Sequence, residues 1–208
     1  MIYLLEHQVG FDATGVGFPS LDGCHGILVH TANGLFGYHA YGGSVATQYQ
    51  PRSVTFASFV TGHASYPGKC LGLYGASFRG RRYTDAMAKT GWRQEITAYA
   101  RALGYTGKIR GLDLTGHVPP QGDLQSAYVQ FELVGGDISI HYKRWNKMQP
   151  GATVAVGAAD FKQLTPGATC KIDPPRGAMK AAAIVTTKSN SGEMHKVGSG
   201  GLDSFTPA

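Results

Sequence analysis

The chain has little cysteine, few charges and no long apolar run, and each shortage excludes a class of protein. Its 208 residues include only three cysteines, Cys24, Cys70 and Cys170, with no CxxC pair, which argues against a disulfide-stapled scaffold and a zinc ribbon. No apolar run approaches the ~20 residues that a membrane-spanning helix needs. The amino-terminal sequence lacks the basic region and the cleavage site of a Sec signal peptide. A protein of this kind that leaves its cell is expected to use another route.

What the chain does have is glycine and a moderate apolar content. Glycine contributes 30 of 208 residues, about twice its usual share of roughly 7%, which favours strands and turns over long helices. Hydrophobic residues make up 42% of the chain, enough for a folded core. We expect a single domain over residues 1–187 and a flexible Gly/Ser-rich tail over residues 188–208.

Apolar patterning predicts several strands and a single helical segment. The helix is expected from about residue 83 to 103, where an amphipathic stripe is interrupted only by Gly91, so two shorter helices are an alternative. The strands are expected at 26–30, 35–41, 69–78, 108–115, 127–134, 137–143 and 152–156. This mixture predicts an α+β fold of mainly antiparallel, sandwich-like β-sheets with helices packed on the outside.

The segment around Cys24 carries the residues best suited to catalysis. A thiol attacks as its thiolate, and a nearby imidazole can take its proton. Gly23 and Gly26 let a substrate amide approach the backbone, whose N–H groups can stabilise an oxyanion. An inert, buried Cys24 is the alternative.

Three histidines compete for the role of base. His25 follows Cys24 directly and points to the opposite face of a strand, whereas His30 shares its face but lies six residues along. His39 lies on the returning strand. With Asn33 and Gly34 as the turn residues, His39 would face Leu28, on the side of Cys24 but about 13 Å from it. Contact would then require the chain near Gly23 to curl back or a bulge in the hairpin.

The stretch Leu21-Asp22-Gly23-Cys24 resembles the Leu-x-Gly-Cys motif of the cytotoxic necrotizing factor deamidases and the Burkholderia lethal factor, which are related in plan to the chemotaxis receptor glutamine deamidases. In those toxins the catalytic His follows one hairpin after the Cys, and His39 lies 15 residues after Cys24. The resemblance implies that Cys24 is the nucleophile, that His39 is the general base and acid, and that Gly23 supports the oxyanion. The implied reaction converts a protein glutamine to glutamate, and with an amine in place of water the same site would transglutaminate.

The resemblance also implies partners and a place of action. The partners would be a target-cell protein that carries the glutamine and a cognate inhibitor or delivery protein, with no metal and no cofactor. The chain would be a toxin or effector, secreted or injected into the target-cell cytosol. A Thr six residues before the Cys orients the histidine in the lethal factor, and Phe18 stands there in this chain. A main-chain carbonyl of residues 15–18 is one replacement, and the side chains of Thr14 and Ser20 are others, so the third group is unassigned.

Two other functions fit parts of the sequence. Basic clusters at Arg79, Arg81 and Arg82 and at residues 143–147, the second with an aromatic residue inside it, suit nucleic acid. The main rival is therefore an RNA- or protein-binding module or a ribonuclease with a structural Cys24. A solvated face or a docking surface for an acidic protein explains the same charges and is favoured over nucleic acid. A cysteine protease is the further alternative. His117, His141 and His195 are expected to be surface or core residues, and Cys70 and Cys170 are expected to be inert. His63 is a candidate for a loop near the site.

Overall fold

The computed structural model of the chain describes residues 1–4, 7–21, 23–40, 46–78, 85–114, 117–118, 126–145, 161–163 and 194–207. Within these ranges, no helix is both long enough and apolar enough to cross a membrane.

Two β-sheets hold about half of the described residues. The larger sheet has seven strands in the order β10-β2-β5-β4-β6-β7-β12. Its strands are β2 (Gln8–Asp12), β4 (Cys24–Thr31), β5 (Gly34–Ala40), β6 (Gly72–Phe78), β7 (Ile109–Asp113), β10 (Phe161–Gln163) and β12 (Asp203–Phe205). All neighbours are antiparallel except β6 and β7, which are parallel. The strand β4 lies in the middle of this sheet, paired with β5 on one side and β6 on the other.

The smaller sheet has five strands in the order β1-β3-β8-β9-β11. They are β1 (Ile2–Tyr3), β3 (Gly15–Leu21), β8 (Ser126–Val134), β9 (Asp137–Trp145) and β11 (His195–Val197). The β8–β9 hairpin turns at Gly135 and Gly136, both with positive φ, as the sequence predicts. Apolar side chains of both sheets form one buried cluster, the inner core, to which Val16, Leu28 and Phe131 belong.

Two helices cover the other face of the seven-stranded sheet. They are α1 (Ala46–Gly62) and α2 (Asp85–Ala102). Phe56 of α1 and Ile96 of α2 pack with Ile27 and Tyr38 of the sheet in a second buried cluster, the outer core. The helix α2 continues through Gly91, so the alternative of two shorter helices is not realised. An α+β sandwich with helices on the outside, as expected from the sequence, is therefore the fold.

Several elements differ from the sequence expectation. The helix α1 and the strands β1 to β3 are not predicted, and the predicted strand at 152–156 lies outside the described residues. The segment expected to be a flexible tail instead contributes β11 to one sheet and β12 to the other. Phe205 of β12 packs edge-on against Trp92, with ring centroids 5.7 Å apart, and this apolar contact offsets the polar character of the segment.

The β4–β5 hairpin has a different register from the predicted one. Thr31 pairs with Gly34, so Ala32 and Asn33 form the turn and Gly34 begins β5. Gly34 has φ +140°, and a Cβ there would lie 2.7 Å from the carbonyl oxygen of Asp12. The glycine is needed for the close approach of β2, and its place as the first strand residue shifts every cross-strand partner of the hairpin. His39 consequently pairs with Gly26 and not with Leu28.

Candidate active site

Cys24 is the first residue of the central strand β4. Its side chain belongs to the inner core between the two sheets and is 2% exposed. The preceding Gly23 has φ +70°, a left-handed conformation that glycine adopts without steric cost. This turn leads the chain into β4 at Cys24.

The observed register places His39 near Cys24. His39 pairs with Gly26, which lies two residues from Cys24 on the same strand. Residues two apart on a strand share a face, so both side chains point into the inner core as diagonal cross-strand neighbours. Such neighbours have Cα atoms about 7–8 Å apart, within reach of long and aromatic side chains. The predicted 13 Å separation is therefore wrong, and neither a curled chain nor a bulge is needed.

A main-chain carbonyl orients the imidazole of His39. Nδ1 lies 2.8 Å from the carbonyl oxygen of Leu4, and because a carbonyl only accepts, the ring carries its proton on Nδ1 and donates it there. Nε2 is then the proton-accepting nitrogen, and it has no hydrogen-bond partner among the described residues. Complete burial lowers the pKa of His39 from 6.5 to about 4, with the Leu4 hydrogen bond opposing the shift and the charge of His7 adding to it. At neutral pH His39 is therefore an uncharged base.

The orienting group is of the expected kind but comes from a different residue. The sequence leaves this group unassigned, with a carbonyl of residues 15–18 as one candidate, whereas the structure supplies a carbonyl from Leu4, whose own N–H donates to the carbonyl of Gly17 at 2.8 Å. The hydroxyl of Thr14 is hydrogen-bonded to Asp12 Oδ1 at 3.0 Å, so it serves a turn and not the histidine. The side chain of Ser20 lies outside the described part. A backbone carbonyl from a distant strand leaves no sequence signal.

Phe18 and Gly26 shape the wall beside the histidine. The Phe18 ring meets the His39 ring edge-on at a centroid distance of 6.0 Å. A Cβ on Gly26 would lie 2.8 Å from Phe18 Cδ2, so the glycine makes room for this ring. Gly26 is paired on both sides, with His39 and with Ala76, and its N–H lies within the sheet ladder, so the suggested oxyanion role for Gly26 is wrong.

The other two histidines of the segment lie elsewhere. His25 points away from Cys24 into the outer face, as predicted, where its Nε2 lies 3.1 Å from Oε2 of Glu95 on α2. Burial raises the pKa of Glu95 to about 8, against the attraction of the Arg52 guanidinium. His30 shares the face of Cys24 but is separated from it by six residues of strand, about 20 Å.

The remaining candidates of the sequence analysis are dispersed. Lys143 is buried at 3% exposure, so its ammonium group is not part of an exposed basic patch. Cys70 donates to the carbonyl of Gly72 at 3.3 Å, and burial raises its pKa to about 11. His63 packs among the rings of Phe11, Phe36 and Phe59. Arg79, Arg81, Arg82 and Cys170 lie outside the described residues.

The described histidines of the five-stranded sheet and its neighbourhood form local contacts only. His141 lies 3.1 Å from Glu132, and Tyr142 contacts the rings of both His117 and His195. Within the described ranges, no three His, Cys, Asp or Glu side chains converge as a metal site would require. A comparison with the models of known protein families and with curated protein sequences finds no match to this chain.

Proposed function

We propose that the chain is a protein-glutamine deamidase, with Cys24 as nucleophile and His39 as general base and acid. The observation that carries the proposal is the diagonal placement of the two side chains on one face of the β4–β5 hairpin, with the Leu4 carbonyl holding His39 in the tautomer that leaves Nε2 free to accept a proton. The resemblance of residues 21–24 to the toxin deamidases supplies the substrate class. It also extends the proposal to a toxin or effector that acts inside a target cell.

The first half of the reaction releases ammonia. His39 Nε2 takes the thiol proton of Cys24, and the thiolate adds to the carboxamide carbon of the glutamine side chain. The resulting oxyanion is stabilised by backbone N–H groups at the Gly23 turn. The tetrahedral intermediate collapses as the C–N bond breaks, and the imidazolium of His39 gives its proton to the departing ammonia. A thioester between Cys24 and the substrate remains.

The second half returns the enzyme to its starting state. His39, again neutral, removes a proton from water, which attacks the thioester carbon. The C–S bond breaks, the Cys24 sulfur recovers the proton from His39, and the substrate leaves with a glutamate side chain. An amine attacking in place of water would leave a substituted amide, which is the transglutaminase reaction.

Local structure also bears on the rival functions. Papain-like proteases place the nucleophile at the start of a helix, whereas Cys24 begins a strand. A nucleic-acid-binding surface at residues 143–147 would need its basic side chains exposed, and Lys143 is buried. The first observation argues against a papain-like protease, and the second argues against a nucleic-acid surface that uses Lys143.

The experiment that tests the proposal measures intact masses and free ammonia after the protein is incubated with a cell lysate and with purified candidate proteins. We expect a gain of about 1 Da at one glutamine for each turnover, seen with the wild type and lost in Cys24→Ser and His39→Ala. Cys70→Ser is the matched control, because it removes a thiol from the same sheet region and leaves the dyad intact. Putrescine added to the same reaction separates deamidation from transglutamination.

Three outcomes would contradict the proposal. Full activity of Cys24→Ser would assign the modification to another group. Cleaved target peptides in place of deamidated ones would indicate a protease. The absence of any modification in a broad proteome, together with a Cys24 thiol that alkylates no faster than Cys70, would make Cys24 a structural residue.

A further inference from the structure

Two residues between β1 and β2, Leu4 and His7, are each hydrogen-bonded to His39. Leu4 accepts the hydrogen bond of the His39 ring at 2.8 Å, and the N–H of His7 donates to the His39 main-chain carbonyl at 2.9 Å. The strand β1 belongs to the five-stranded sheet and β2 to the seven-stranded sheet. The connection therefore crosses from one sheet to the other at the position of the base.

Each end of this crossing is fixed to a different sheet. The N–H of Leu4 donates to the carbonyl of Gly17 in β3 at 2.8 Å, which ties that end to the five-stranded sheet. His7 ties the other end to β5 through His39. Leu4 and His7 are thus fixed to different sheets, and both contact His39.

His7 has a backbone conformation that is uncommon for a non-glycine residue. With φ +70° it is the one non-glycine among the described residues in the left-handed region, where glycine or asparagine would be less strained. Strained residues of this kind persist where the surrounding structure fixes them, and they cluster at functional sites. The side chain is half-buried. After burial, its charge is a further cause of the lowered pKa of His39. Burial, followed by the charge of Arg52, lowers the pKa of His7 itself.

We propose that His7 is a positioning residue of the active site, whose left-handed turn sets the Leu4 carbonyl against Nδ1 of His39 and so fixes the tautomer of the base. This inference rests on the proposed function of Cys24 and His39. An extended residue at position 7 would direct the chain away from this turn, and we expect the hydrogen bond between the His39 ring and the Leu4 carbonyl to be lost. The His39 ring would then be free to carry its proton on Nε2, which cannot accept the thiol proton.

The test compares substitutions that tolerate the left-handed region with one that does not. His7→Asn and His7→Gly keep the conformation and remove the imidazole, whereas the β-branched His7→Val disfavours the conformation strongly. His30→Val is the matched control, since it makes the same replacement on a regular strand away from the site. Proton-detected ¹⁵N spectra of the histidine rings identify which nitrogen of His39 carries the proton.

The expected result is a single Nδ1–H tautomer of His39 in the wild type, His7→Asn, His7→Gly and His30→Val, and its loss in His7→Val. Deamidation by His7→Val should fall about a hundredfold, the lower end of what a general base contributes, with His7→Asn close to wild type. If His7→Val does not fold, His7→Ala gives the same comparison with a smaller steric penalty.

Two results would overturn the inference. One is an unchanged Nδ1–H tautomer in the variant that folds with an extended residue 7. The other is an equal loss in His7→Asn and His7→Val, which would assign the role to the imidazole and not to the turn. A wild-type protein that deamidates nothing would instead count against the proposed function, and the ring spectra would still decide the role of His7.

Discussion

Replacing Glu95 by glutamine should change how the stability of the protein depends on pH. Glu95 is 1% exposed, and burial raises its pKa from 4.5 to about 8, although the Arg52 guanidinium favours the ionised form. At pH 7 the carboxyl therefore keeps its proton in the folded protein, where Oε2 lies 3.1 Å from Nε2 of His25, and is ionised in the unfolded chain. Glutamine cannot ionise, but its amide N–H can donate to the same nitrogen.

The sign and size of the effect follow from this difference in pKa. The folded state binds the proton more tightly, so the stabilisation is complete below pH 4.5 and is lost as the pH rises through 8. One pKa unit corresponds to about 1.4 kcal/mol. The change from 4.5 to about 8 thus gives an upper limit of about 5 kcal/mol for the loss, a large share of the roughly 5–15 kcal/mol that stabilises a typical domain.

The assay is urea unfolding of the wild type and Glu95→Gln at a series of pH values between about 5 and 8.5, analysed by linear extrapolation. The fluorescence of Trp92, buried on the same helix, reports unfolding. The free energy of unfolding of the variant relative to the wild type should rise across this range. Asp137→Asn removes an exposed carboxylate from the other sheet and controls for the change in net charge. A difference that stays constant with pH would refute the reasoning, because Glu95 would then be ionised in the folded protein.

Three further predictions concern the base, a second thiol and a packing contact. Because the pKa of His39 is lowered to about 4, kcat/KM for the proposed deamidation should stay constant as the pH falls from neutral and should decrease only near pH 4. A decrease centred near pH 6.5 would contradict the burial of His39. Burial raises the pKa of Cys70 from 9.0 to about 11, so its thiolate fraction at pH 8 is reduced about a hundredfold. Peptide mass spectrometry should show that iodoacetamide labels Cys70 much more slowly in the folded protein than in urea. Equal labelling rates in the two conditions would contradict the raised pKa of Cys70. A Cβ at Gly111 would lie 2.7 Å from the carbonyl oxygen of Gly75, so Gly111→Ala should lower the free energy of unfolding by about 1–3 kcal/mol. Gly198→Ala, which meets nothing within 4 Å, is the control, and equal urea midpoints for the two variants would disprove the contact.

The amino-acid pattern is sufficient to predict the elements in the central part of the fold. Strands β4 to β9 and the helix α2 have clear apolar periodicity and glycine turns, and the α+β sandwich follows from them. The helix α1 was not predicted because Pro51 lies inside it and proline usually ends a helix. The strand β3 was obscured in the same way by Pro19, which lies at the irregularity in its pairing with β8 between Phe18 and Leu21.

The candidate site was predictable in its side chains but not in its geometry. The sequence correctly predicts that Cys24 and His39 lie on the same face of the β4–β5 hairpin. The distance between them depends on whether Gly34 is a turn residue or the first residue of β5. Local sequence does not decide this, because the carbonyl of Asp12 in another strand is what approaches Gly34. The Leu4 carbonyl is a backbone group brought in by tertiary structure, and any residue type could supply it.

The central position of β4, the strand that Cys24 begins, bears on how the proposed activity would be lost on heating. A nucleophile on a surface loop can be displaced by local opening, at a small fraction of the total stability. The strand β4 is hydrogen-bonded on both sides, and its partner β5 carries His39. Separating the two residues therefore requires breaking the sheet itself, so heat inactivation and global unfolding should be one transition. The backbone amides of residues 26–29 should accordingly exchange with solvent as slowly as any in the molecule.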